Sequence, residues 1–158
     1  MALVKGINSY ATVLEADTYF ADRIDVAAWT GGSSDQKGQA LVTATSEIDG
    51  MDWTGSVVSE AQLLAFPRVG SYYDPRLGYW IELPSSVPSR IIIATYELAY
   101  HLLNNDGLRD NTGGIKSLTV GPISLENIVT ASKAPSVVMK TIKPLLANSG
   151  SKTWWRAN

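Results

Sequence analysis

The sequence predicts a mainly α protein, a small helical bundle with one β-hairpin and an extended C-terminal tail. Three observations predict it. Thr12 and Glu15, Ser33 and Gln36, and Ser59 and Gln62 each place a hydroxyl three residues ahead of a Glu or Gln, the reciprocal capping that opens a helix. A broad apolar stripe at helical spacing follows Val87-Pro88. From Ile115 to Glu126, apolar and polar residues alternate on either side of Gly121-Pro122, which reads as a hairpin or as two strands bent at one point.

Taken in order, the first helix is expected over Val13 to Ile24, burying Ala16, Tyr19, Phe20 and Ile24. The second runs from Ser34 to Ile48, burying Leu41, Ala44 and Ile48, with Gly50 as its stop. A short third helix, Glu60 to Ala65, ends because the residue before Pro67 is pushed out of helical geometry. An irregular aromatic loop with Tyr72, Tyr73, Tyr79 and Trp80 then clasps this helix to the next. Pro88, its φ preset, restarts the helix, which runs to Asn105. On its wheel Ile92, Thr95, Tyr96, Leu98, Ala99, Leu102 and Leu103 share the core face, and Arg90, Ala94, Glu97 and His101 lie opposite. After the hairpin, at about 115–128, a last helix carries Val137, Val138, Met139 and Ile142, with Pro144 near its end. The organisation is one domain, 1–147, followed by a linker and docking tail, 148–158.

The composition narrows the function. A chain of 158 residues, 45% hydrophobic and 18% charged, suits one globular core. Zero cysteines exclude disulfides, thiolate nucleophiles and cysteine-bound zinc, and suit a reducing cytosol or a particle assembled there. Met1 to Gly6 lacks a basic region followed by a long apolar run, and no stretch reaches the ~18 apolar residues of a membrane span, so neither secretion nor membrane insertion is expected. A net charge of −2 gives no global attraction to phosphate.

No residue set carries catalysis. His101 is the one histidine, and with Glu97 a turn earlier it makes two ligands, short of a zinc site, so it reads as a solvated or interfacial pair. Asp106 and Asp110 flank a loop and read as turn caps. Gly31-Gly32-Ser33-Ser34 lacks the lysine of a phosphate-binding loop and reads as a loop ending in an N-cap. No serine sits in a Gly-x-Ser-x-Gly elbow. The expectation is a non-enzyme with no metal and no cofactor.

Several stretches together resemble one family. They are Ala11 to Phe20, Trp53 and Gly55, Ala65-Phe66-Pro67-Arg68, Val87-Pro88 leading into Ala94-Thr95-Tyr96-Glu97-Leu98-Ala99, and Lys116-Ser117 with Val120-Gly121-Pro122-Ile123. They resemble the head-to-tail adaptors of tailed bacteriophages, whose members are often labelled DnaT-like single-stranded-DNA-binding proteins. The resemblance covers about Tyr10 to Leu146. It implies a structural virion protein of the neck, assembled in the host cytoplasm. Its subunits would form a dodecameric ring beneath the portal protein, above a stopper or tail-completion protein. Double-stranded DNA would pass through the lumen without sequence-specific binding.

Three surfaces are then candidates. Hairpin residues Lys116, Leu118, Thr119, Val120, Ile123, Leu125 and Glu126 either cover the bundle or meet the neighbouring subunit; the ring reading is favoured because an isolated hairpin is marginal and its edges are open. Beyond the linker Asn148-Ser149-Gly150-Ser151-Lys152, the residues Trp154, Trp155 and Arg156 are of the types that become binding hot spots. They either fold back on their own domain or, the favoured reading, dock on the portal or a neighbour. The alternative function is single-stranded DNA binding, with Tyr72 and Tyr73 stacking bases and Arg68 and Arg76 holding phosphates.

Overall fold

The computed structural model describes residues 2–104, 117–120, 123–126 and 135–147, the two strands of the 117–126 hairpin by their backbone alone. The fold is mainly α, as expected. The elements are α1 (Val13–Ala21), α2 (Ala27–Thr30), α3 (Ser34–Asp49), β1 (Ser56–Val57), β2 (Arg68–Val69), β3 (Ser71–Asp74), β4 (Tyr79–Glu82), α4 (Ser89–Leu103), β5 (Ser117–Val120), β6 (Ile123–Glu126), α5 (Ser136–Ile142) and a 3₁₀ turn, Lys143–Leu145. The strands form three separate antiparallel ribbons, β1–β2, β3–β4 and β5–β6.

Two capping boxes open helices as the sequence implies. Thr12 accepts from the Glu15 amide while Glu15 accepts from the Thr12 amide, and Ser33 and Gln36 do the same at α3. The box expected at Ser59 does not start a helix, and no helix spans 60–65. Instead the Gln62 carboxamide closes a turn on itself. Its Oε1 accepts from the Val58 and Ser59 amides at 3.1 and 3.2 Å, and its Nε2 donates to the Leu64 and Pro67 carbonyls at 2.6 and 3.1 Å. One side chain thus satisfies four backbone groups that a helix would have paired.

α1 stops at Ala21, and Ile24, expected in the core, is 94% exposed. The chain reverses through Asp25, at φ 58°, into the short α2, which the sequence reading missed. This delivers the Trp29 indole onto Phe20, ring centres 4.8 Å apart, so tryptophan takes the place expected of isoleucine. In α3, Leu41, Ala44 and Ile48 are buried as expected.

α4 departs from its wheel. Pro88 is the N-cap with extended ψ of 139°, not the first helical residue. Ala94 and Glu97, placed on the outer face by the pattern, are buried together with Ile91, Thr95, Tyr96, Leu98 and Ala99. The helix is enclosed because α2, α3 and α5 all pack against it. Glu97 is tolerated inside because Arg23 forms an ion pair with its carboxylate and the Tyr19 hydroxyl donates to it at 2.6 Å. Of the expected solvated or interfacial His–Glu pair, the solvated form is corrected: Glu97 is buried against Tyr19 and Arg23, and His101 stacks edge-on with Tyr100 at 5.3 Å.

The segment around Phe66 is locked into the same core. Tyr10 donates to Asp49 and accepts from the Phe66 amide at 3.2 Å, while the other Asp49 oxygen accepts from the Ala65 amide at 3.1 Å. Burial, with the Asp49 hydrogen bond and charge behind it, pushes the Tyr10 phenol well up. Burial also raises the Asp49 carboxyl, against the pull of both donors. Trp53 meets the Phe66 ring edge-on at 5.1 Å and bridges to Leu146, so the end of the described chain is tied beneath this cluster.

Candidate functional site

The loop expected between Pro67 and Pro88 is an ordered ribbon. Register pairs Tyr72 with Ile81 and Tyr73 with Trp80, and Asp74 organises the turn between the strands. The Asp74 carboxylate accepts from the Arg76 amide at 2.8 Å, and its backbone carbonyl accepts from Leu77 and Gly78. Gly78 supplies the left-handed φ of 79° that closes the turn. The Asp74 carboxylate is 2% exposed and also meets the Arg90 guanidinium, at 3.3 Å, and the Tyr72 hydroxyl, at 3.3 Å. The Arg76 amide, then Arg90, hold it below the usual carboxylate range despite burial.

Because side chains alternate across a strand, Tyr72 turns into the core while Tyr73 and Trp80 stand outside, 46% and 67% exposed. The two outer rings meet edge to face with centres 6.2 Å apart. Together with Thr54, Tyr72 and Pro75 they form one wall of a groove of about 550 Å³. Lys143, Pro144, Leu146 and Ala147 form the other. Among the described residues no three His, Asp or Glu side chains come together to hold a metal ion. What the groove offers is aromatic and proline surface with one ammonium at its rim, suited to a flat or apolar group.

The residues proposed for single-stranded DNA are not brought together. The Arg68 guanidinium donates to the Thr54 carbonyl at 2.9 Å and the Gly55 carbonyl at 2.5 Å, with longer contacts to Ala65 and Trp53 at 3.4 and 3.5 Å. From β2 it clamps the chain entering β1, its donors occupied by backbone. Tyr72 is 8% exposed and presents no face to stack on. Tyr73 and Arg76 are exposed, on the outer face and at the turn of the ribbon. Sequence reasoning missed Trp53, Pro144 and Leu146 as supports of this surface, since no local pattern ties residue 53 to residue 146.

Of the hairpin candidates, β5 and β6 pair as expected, Leu118 opposite Leu125, Thr119 opposite Ser124 and Val120 opposite Ile123. Lys116, and the tail residues Trp154, Trp155 and Arg156, lie outside the described residues, as do Asp106 and Asp110. No curated protein and no solved structure matches the chain. One family does, over residues 2–157, and the chain belongs to it: the family described as "Putative DnaT-like ssDNA binding protein".

Proposed function

We propose that this chain is a head-to-tail adaptor of a tailed bacteriophage, whose copies close into a dodecameric ring under the portal and extend the DNA channel toward a stopper or tail protein. The observation that carries the reading is the β5–β6 ribbon, which shares no strand with any other sheet among the described residues. Two strands alone are marginal in water, and both outer edges ask for a partner that a neighbouring copy in a ring supplies. The same reading sends Trp154, Trp155 and Arg156 to the portal. With a net charge of −2, the ring would carry double-stranded DNA with little adhesion.

Quantitative mass spectrometry of purified particles tests it: the chain is expected in an amount near that of the portal protein, and its absence overturns the reading. Truncation after Asn148 is expected to abolish association with portal rings; unchanged association removes the tail from the mechanism.

Single-stranded DNA binding is the second reading, favoured by the family description and by the exposed Tyr73–Trp80 pair beside Lys143. Tight binding of an oligonucleotide that weakens steeply with salt would support it over the adaptor role.

A further inference from the structure

We infer that the groove between the β3–β4 ribbon and the 3₁₀ turn receives this chain's own last residues, with one of the two terminal indoles against Tyr73 and Trp80. Three observations carry the assignment. The first is continuity: Lys143, Pro144, Leu146 and Ala147 form one wall of the groove, so residue 148 leaves from the wall itself. A segment tethered there meets the groove at an effective concentration no free partner matches.

The second is length. Trp154 lies seven residues beyond Ala147, a reach of at most about 25 Å at ~3.3–3.6 Å per extended residue. The small and polar residues 148–153 can therefore turn back without strain and place an indole in a cavity of about 550 Å³.

The third is complementarity. The groove walls are aromatic and proline-rich, and among the described residues no carboxylate lines them. On β4, Trp80 and Glu82 stand two residues apart on one side of the strand, both exposed. Trp154 and Arg156 repeat that spacing with the opposite charge, so an extended tail that sets Trp154 on Trp80 brings Arg156 to Glu82. In the free subunit the terminal tryptophans are thus covered, and a portal surface would have to compete them out of the groove.

The test uses the full chain labelled with 5-fluorotryptophan, whose five tryptophans give separate fluorine resonances. Trp154→Ala/Trp155→Ala is expected to shift the Trp80 resonance while Trp29 and Trp53, both in the core, hold theirs. Tyr73→Ala, which removes part of the wall, is expected to move a terminal indole toward the free-tryptophan position. The wild-type pattern should not change on tenfold dilution. A Trp80 resonance indifferent to the loss of both indoles overturns the inference. A shift that disappears on dilution also overturns it, by placing the segment on a second copy. No portal protein enters this test, so its failure leaves the adaptor reading to be judged on its own.

Discussion

Replacing Arg68 by lysine separates a backbone clamp from a phosphate ligand, because lysine keeps the charge and loses the fork. Two of the four carbonyl contacts, to Thr54 and Gly55, are short enough to count fully. A hydrogen bond to a charged group contributes ~1.5–3 kcal/mol, and partial exposure of this side chain argues for the lower end. The pair is then worth about 3 kcal/mol. An ammonium on a flexible stem can recover one bond, leaving a deficit of roughly 1.5–2 kcal/mol for Arg68→Lys and about 3 kcal/mol for Arg68→Met. At ~2–4 °C per kcal/mol for a chain of this size, the lysine variant should melt about 3–8 °C lower. Urea unfolding followed by tryptophan fluorescence gives the free energy, and oligonucleotide titration of the same protein gives its binding. A phosphate ligand would behave in the opposite way, stable as lysine and changed in binding. Stability of Arg68→Lys within ~0.5 kcal/mol of wild type would refute the clamp.

Gly55 holds φ 73°, and a Cβ there would collide with the Val69 carbonyl oxygen, so Gly55→Ala should cost ~1–3 kcal/mol; an unchanged urea midpoint would show that the β1–β2 ribbon can rearrange freely. Tyr10→Phe strips the Phe66 amide of its acceptor and the Asp49 carboxylate of a donor, and should destabilise by ~1–3 kcal/mol, read from the same unfolding curve. Burial pushes the Tyr96 phenol up to about 12 from its ordinary 10.0, and Tyr10 moves in the same direction. Above pH 10 the unfolded chain loses these protons first. The stability they contribute is therefore complete below pH 10 and falls as the pH rises toward 12. Burial raises the Tyr19 phenol as well, so phenolate absorbance should show three of the seven tyrosines titrating late, and seven equivalent titrations would contradict the packing.

What could be read from the chain was what local chemistry decides. Thr12 with Glu15 and Ser33 with Gln36 cap helices because the flanking residues also have helical spacing. Ser59 with Gln62 carries the same signature, yet Gln62 has a better use in a turn, and only the positions of Leu64 and Pro67 reveal it. Ile24 and Trp29 compete for one place beside Phe20, and no periodicity tells which of them the reversal at Asp25 will deliver. The wheel of α4 assumed one buried face, whereas neighbours surround it and Glu97 finds its counter-charge in Arg23, two residues past the end of α1. The aromatic surface suffered most: the tyrosines were visible, but which of Tyr72 and Tyr73 faces outward depends on strand register, set by the turn at Asp74.

Since no ribbon lends a strand to another, the ladder hydrogen bonds of the sheet portion fall into three separate sets. The first two meet at Gly70, which links β2 to β3 and whose carbonyl accepts from the Leu83 amide at 2.8 Å, whereas among the described residues no strand ladder ties β5–β6 to either. Sequence drift can therefore retailor β5–β6, to follow a changing neighbour, without breaking a ladder of the other two ribbons, while the residues enclosing α4 stay under common constraint.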